Sequence, residues 1–520
     1  MKSRVMVLNG NTLTTQDIYF LAHNPFELVK VSKSSLELIK KSHKFLNQKL
    51  DKEIIYGVNT GFGPMASYII NKKHLVELQK NLIRSHSVGM GKALSNEYVL
   101  ASMAVRLNTL VKGVSGVSPL LIKQLQTYIN KRIIPVIPEH GAVGTSGDLV
   151  QLAHIALTLI GEGTVYYNGK YKTTTTVLRE LNIKPYKLKP KEGLALINGT
   201  SAMAGIAALA CIEARRIISL AIKTAAFSLE LVQGFKGDIS EKLHNLRPHK
   251  GQIIIAQCMR DILSSSRLLK DRNSLNSALP QNNIYKISSK VQEIYSLRCA
   301  PQILGPIYDI LVKTNKDVET EINSATDNPI IDLENELVLH GGNFHGDYIA
   351  AAIDQLKISL VKLSLLSERR INFFLNENIN KCFPPFVNLG KLGFNLGLQG
   401  LQFVATSTAA QNQTLAFPHH IHSISTNADN QDVVSMGSDA ALLAIKVIEN
   451  TYILLTIELI VLAQVVDFLN EKTKLSHSSR ELFEKIRGIF PKITQDKVIV
   501  KKLELTLELV KKESILNIQW

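Results

Sequence analysis

The chain has 520 residues, more than one ordinary hydrophobic core uses, so two or more domains or one extended bundle are expected. Its composition, 45% apolar and 20% charged, is that of a soluble globular protein. The net charge of +16 comes from scattered lysines with modest clusters at 184–191 and 501–512. No aromatic-interleaved basic patch accompanies them, so no nucleic-acid partner is expected, although an anionic substrate would gain some steering.

At the N-terminus, Lys2 and Arg4 precede an apolar run, Val5–Leu8, that stops at Asn9-Gly10. That is too short for a signal peptide. The cysteines, Cys211, Cys258, Cys299 and Cys382, lie far apart with no CxxC pair, which argues against a disulfide scaffold or a zinc site and for a reducing cytoplasm. Thr14-Thr15-Gln16-Asp17 reads as a capped helix start. Residues 93–132 carry apolar positions at helical spacing. The loop Pro135–Gly147 follows, and a helix resumes at Asp148–Ile160, its acidic first residue suiting a helix N-terminus. Val165–Tyr171 is a hairpin with an Asn168-Gly169 turn.

From Thr200 onward the pattern is almost all long helix: 200–234, 252–270, 306–324, 344–376, 397–417 and 436–471. Ala440–Leu469 is very apolar, but Lys446, Glu449, Glu458 and Asp467 interrupt it, which favours a buried helix over a membrane span. The expected fold is mainly α. A mixed N-terminal part, residues 1–200, precedes a long helical bundle with C-terminal helices, residues 201–520.

The most informative stretch is Gly141-Ala142-Val143-Gly144-Thr145-Ser146-Gly147-Asp148. If the Gly147 nitrogen attacks the Thr145 carbonyl, a five-membered ring closes and water leaves. Ser146 can then lose its hydroxyl as a second water, leaving an exocyclic methylidene. That product is an electrophile, which no standard side chain supplies. Glycine suits the third position because it has no Cβ to obstruct closure. A plainer reading is a turn or a phosphate cradle. The GxxGxxG spacing matches neither the dinucleotide fingerprint nor a Walker loop.

Further segments accompany the loop: Tyr56-Gly57-Val58-Asn59-Thr60-Gly61-Phe62-Gly63; Arg84-Ser85-His86-Ser87; Asn198-Gly199-Thr200-Ser201; Gln292-Glu293-Ile294-Tyr295-Ser296-Leu297-Arg298; and Gly341-Gly342-Asn343-Phe344-His345-Gly346. From about residue 9 to residue 440 the chain resembles the aromatic amino acid ammonia-lyases and 2,3-aminomutases. That family uses the methylidene-imidazolone (MIO) group just described.

The resemblance implies an MIO formed from Thr145, Ser146 and Gly147, with no external cofactor and no metal. It implies Tyr56 as the base that takes a β-proton, with Tyr295 also catalytic, and Gly57, Gly61 and Gly63 suggest a lid that closes over substrate. Arg298 would clamp the substrate carboxylate with its guanidinium fork. Asn198 and Gln292 would add hydrogen bonds, Phe344 would line the pocket, and His86 and Gln411 would meet the aromatic end. It also implies a small-molecule amino acid substrate and a homotetramer whose sites draw on several chains.

Substrate signals are mixed. Thr145 replaces the commoner alanine of Ala-Ser-Gly, which leaves the ring chemistry intact. Ser85-His86 matches histidine ammonia-lyases and also some tyrosine-using relatives. Ser201 stands where histidine lyases carry glutamine, and Gln411 where they carry glutamate. Residues 425–435 and 321–329 look more like the phenylalanine and tyrosine branch. The expected reaction is therefore elimination of ammonia from tyrosine or phenylalanine to a trans-arylacrylate, with histidine to urocanate, or a 2,3-aminomutase outcome, as alternatives. His419, His420 and His422 invite a metal reading, but no neighbouring carboxylate or cysteine in the sequence completes a shell.

Overall fold

The computed structural model describes residues 5–278, 284, 286–287 and 290–520. Two compact units are assembled from interleaved segments. The first gathers Met1–Ile212, Lys313–Gln355 and Pro418–Ala444; the second gathers Glu213–Val312, Leu356–Phe417 and Ile445–Trp520.

The first unit opens with a parallel pair, Val5–Leu8 beside Leu28–Val31, linked through the helix Thr15–His23. Thr14 caps that helix as its sequence foretells. Its hydroxyl accepts from Asp17 N at 3.1 Å, and the Asp17 carboxylate accepts from Thr14 N at 3.2 Å. The stretch 93–132, read as one helix, is two: Asn96–Leu110 and Pro119–Asn130. Gly113 and Gly116, at φ +77 and +70, turn the chain between them. Ser118 and Pro119 then start the second helix, a cap followed by a first-turn proline.

The loop 135–147 contains two short strands, Ile134–Pro135 and Pro138–His140. The first joins the hairpin Thr164–Tyr167 and Lys170–Thr173; the second pairs antiparallel with Met90–Ala93. The hairpin turn at Asn168 and Gly169 has φ +49 and +78, the paired left-handed conformation of a tight two-residue turn. Leu149–Leu159 and Glu192–Ile197 are the helices that flank the glycine-rich loop.

The second unit is nearly all helix. Pro306, read as a helix start, lies inside Ala300–Ile322. Gly437–Leu469 is long and apolar enough to cross a membrane by length and composition alone. Most of it is buried inside the protein instead. Its Glu458 is fully buried and meets Arg370 in a two-pronged pair, Nε to Oε1 at 2.5 Å and Nη2 to Oε2 at 3.1 Å, with the Ser367 hydroxyl on Oε2 at 2.6 Å. Its Asp467 pairs with Arg487 at 2.8 Å. A buried carboxylate is tolerated in an apolar helix when it is matched in this way.

Candidate active site

The glycine-rich loop is pinned on both flanks. The Gly144 carbonyl accepts from Gly346 N and from the Ser435 hydroxyl, each at 3.0 Å. Past the loop, Asp148 N donates to the Gly199 carbonyl at 2.8 Å, and Gly147 runs alongside Gly199 as a parallel bridge. Gly147 has φ +72, and a Cβ there would stand 2.0 Å from the Gly199 oxygen. Only glycine fits.

Behind Gly199 lies Arg106, fully buried, with its Nη2 donating to the Ala195 carbonyl. Burial holds the Arg106 guanidinium below its usual range, opposed by Asp327 and Asp148. The Asn198 carboxamide donates to the Ser146 carbonyl at 3.0 Å. Gln431 spans the two side chains of the tripeptide: the Thr145 hydroxyl donates to its Oε1 at 2.6 Å, and its Nε2 donates to Ser146 Oγ at 3.3 Å.

Asp148 starts the helix Leu149–Leu159 but does not cap it. Its Oδ2 accepts from Ala202 N at 2.9 Å and Met203 N at 2.8 Å, and Oδ1 accepts from the Ser438 hydroxyl at 2.7 Å. The carboxylate thus serves the N-terminus of a different helix, Ser201–Leu231. Burial pushes its pKa up to about 6, with the Met203, Ser438 and Ala202 hydrogen bonds pulling the other way.

Ser146 opens into a cavity of about 540 Å³ that Tyr56, His86, Gly147, Asn198 and Phe344 also line. An adjoining cavity of about 520 Å³ shares Tyr56, Ser146, Phe344 and Gln431, and adds Thr145 and His340. The Tyr56 phenol oxygen accepts from Gly63 N at 3.0 Å. Its loop is tied down by Gly57, whose N–H donates to the Thr60 hydroxyl at 2.9 Å and whose carbonyl accepts from Gln79 at 3.0 Å.

On the helix Leu75–His86, the residues Leu78, Asn81, Leu82, Ser85 and His86 form one helical stripe facing this cavity. His86 Nδ1 lies 2.9 Å from the Leu82 carbonyl and 3.1 Å from Ser85 Oγ. A carbonyl can only accept, so Nδ1 carries the hydrogen. In the neutral ring Nε2 is then an acceptor available to the cavity.

The structure therefore gathers Tyr56, His86, Thr145, Ser146, Gly147, Asn198 and Phe344 in the first unit. Gln292, Tyr295 and Arg298 belong to the second unit, where they line a separate cavity of about 560 Å³ with Arg369 and Asn372. There the Arg298 guanidinium sits 4.8 Å from the Tyr295 ring centre. Gln411 lines none of these cavities; it is exposed, and its Oε1 accepts from Asn450 at 2.8 Å. Gln431 holds the place beside the tripeptide, and sequence reasoning gave it no role. Its signal was present in the segment 425–435, but nothing local said which residue of that segment turns inward.

Two of the histidines that suggested a metal face carboxylates distant in sequence: His420 Nδ1 is 2.8 Å from Asp354, and His419 Nε2 is 3.7 Å from Asp439. Among the described residues, no group of three or more His, Cys, Asp or Glu is placed to hold a metal ion.

Comparison with known proteins identifies the family. The family model for aromatic amino acid lyases matches residues 13–488. A histidine ammonia-lyase of Staphylococcus saprophyticus is 40% identical over 500 residues, covering 96% of this chain and 97% of the relative. A histidine ammonia-lyase of Geobacillus sp. (strain WCH70) is 38% identical over 508 residues, covering 98% and 96%. The crystal structure of a tyrosine aminomutase from Streptomyces globisporus superposes with a TM-score of 0.94 at 36% identity, covering 98% of this chain and 97% of that one. The chain belongs to the aromatic amino acid lyase family and is a carbon–nitrogen lyase.

Proposed function

We propose that this enzyme is a histidine ammonia-lyase that converts histidine to urocanate and ammonia, using an MIO group formed from its own Thr145, Ser146 and Gly147. The residues present suit that group. Gly147 has no room for a Cβ, Ser146 opens into the cavity, and Asn198 and Gly199 hold the loop backbone. The group would supply an electrophilic alkene to activate the amine as a leaving group.

The observation that carries the substrate reading is the 2.9 Å contact of His86 Nδ1 with the Leu82 carbonyl. With Nδ1 engaged by Leu82, Nε2 offers an acceptor to the cavity that Ser146 and Tyr56 share. The imidazole N–H of histidine is a matching donor. A phenyl ring offers none, and leaving such an acceptor unpaired costs on the order of 1–3 kcal/mol. Both curated relatives described above are histidine ammonia-lyases, which supports histidine over the tyrosine and phenylalanine preference drawn from the sequence. That preference leaned partly on Gln411, which lies outside the cavity.

In this reading Tyr56 takes the β-proton and Asn198 and Phe344 position the substrate, while Arg298 and Gln292 bind the carboxylate, with Tyr295 catalytic, in sites that another chain completes. We further propose a homotetramer in which sites are shared between chains, and a cytoplasmic location, with which the free cysteines accord. A tyrosine-using enzyme is the second reading, favoured by the TM-score of 0.94 to the tyrosine aminomutase and by the ability of a phenol to donate to the same Nε2.

Product analysis separates the two. Purified protein is incubated with histidine, tyrosine and phenylalanine in turn. Urocanate at the highest kcat/KM is expected. Trans-4-coumarate or a β-amino acid as the most efficiently formed product would overturn the histidine assignment.

A further inference from the structure

By its place in the ring, Thr145 contributes only a carbonyl, and its side chain is free to vary. In the structure Thr145 is 4% exposed, and its hydroxyl is spent on Gln431 Oε1 at 2.6 Å. The same carboxamide reaches Ser146 Oγ through Nε2 at 3.3 Å. The two distances say which way the carboxamide is turned. A separation of 2.6 Å belongs to an O–H···O bond, whereas N–H···O bonds are longer. With its oxygen held by threonine, the carboxamide presents N–H to serine.

Gln431 is also fixed through its backbone. It exchanges hydrogen bonds with Thr426 at 3.1 and 3.3 Å, closing a turn in which Asn427, Ala428 and Asp429 all have positive φ, +56, +52 and +60. A run of left-handed non-glycine residues persists only where the surroundings over-determine it, as they do at functional sites.

We propose that Thr145 is a positioning residue for the maturation of its own tripeptide: its hydroxyl orients Gln431 so that an amide N–H holds the Ser146 hydroxyl as it departs. The proposal rests on the reading that Thr145-Ser146-Gly147 forms the ring. In ring closure the Gly147 N–Thr145 C bond forms, and the Thr145 oxygen leaves as water with the hydrogens of Gly147 N and Ser146 N. In the second step the Ser146 Cβ–O bond breaks, and the hydroxyl leaves with the Cα proton as water. No oxidant or reductant is required. Charge grows on the departing oxygen, and a donor already aimed at it lowers the barrier without reorganisation. The commoner Ala-Ser-Gly tripeptide lacks this hydroxyl, so the expected effect is on a rate and is not all-or-none.

The test follows the intact mass of full-length protein with time during cell-free synthesis. Wild type, Thr145→Val, Thr145→Ser and Gln431→Glu are compared, with circular dichroism as a check on folding. Thr145→Val keeps the shape and loses the hydroxyl, and it should shed the second water several-fold more slowly, with a species short by one water accumulating. Thr145→Ser should recover the wild-type rate. Gln431→Glu, which keeps an acceptor for Thr145 and loses the donor to Ser146, should be slow even with Thr145 in place. Equal rates for wild type and Thr145→Val, or a serine variant as slow as the valine variant, would overturn the proposal. A wild-type chain that never loses water would instead overturn the ring itself.

Discussion

Gly147 and Gly199 lie backbone to backbone, so close that a Cβ on Gly147 would stand 2.0 Å from the Gly199 carbonyl oxygen. Gly199 is hemmed in from its other side as well. At φ +145, a Cβ there would meet Arg106 Nη1 at 2.3 Å. Gly199→Ala should therefore lower the melting temperature, since such a φ alone costs on the order of 1–3 kcal/mol in a non-glycine residue. The displaced loop should also leave Ser146 unmodified by intact mass. A variant with wild-type melting and wild-type mass would mean that this close approach is not needed.

Tyr56 touches the cavity through a phenol whose oxygen is held by Gly63 N at 3.0 Å. On the proposed mechanism, Tyr56→Phe removes the base and the hydrogen bond from Gly63 and leaves the proposed ring in place. Turnover is expected to fall by several orders of magnitude, with mass and melting temperature close to wild type. Retention of near-native kcat would move the proton abstraction to another residue.

His86→Leu removes an imidazole that lines the cavity of about 540 Å³ into which Ser146 opens. A lost hydrogen bond to a buried polar group corresponds to on the order of 1–3 kcal/mol, or roughly a 5- to 150-fold fall in kcat/KM for histidine. Phenylalanine should gain relative to histidine. Measured kcat/KM values that fall equally for both substrates would assign His86 a role unrelated to ring recognition.

Asp148 gives a pH signature. Its folded pKa of about 6 lies above the usual 3.8 because of burial. Between those values the native protein binds more protons than the unfolded chain, so this contribution is full below about pH 4 and is lost as pH rises through about 6. The whole change amounts to about 3 kcal/mol. The stability of wild type relative to Asp148→Asn, followed by thermal melting, should therefore decline from pH 4 to pH 6.5 and then level off. A difference that is flat, or that grows with pH, would contradict the buried-carboxyl account.

Much of this was legible in the sequence, for identifiable reasons. The Thr14–Asp17 cap and the Asn168-Gly169 turn are local chemistry, and the structure repeats them. The long apolar stretches fold as long helices because their patterning admits little else. Gly113 and Gly116 were the overlooked signal that splits 93–132, since both sides of the break carry the same helical periodicity. Asp148 at a helix start suggested an ordinary cap, yet its hydrogen bonds go to Ala202 and Met203, a choice made by tertiary packing alone. The inward placement of Gln431 and the outward placement of Gln411 likewise follow from long-range packing, which no local pattern encodes. The same holds for the gathering of 313–355 and 418–444 into the first unit.

The central claim is that the backbone of Thr145, Ser146 and Gly147 becomes the enzyme's own electrophile. Intact-protein mass spectrometry of the native chain tests it most directly, with Ser146→Ala measured alongside. The wild-type mass should fall short of the sequence mass by two waters, while Ser146→Ala, which has no hydroxyl to eliminate, should match its own sequence mass and lose turnover. A wild-type mass equal to that of the unmodified chain, in protein that turns over substrate, would contradict the account.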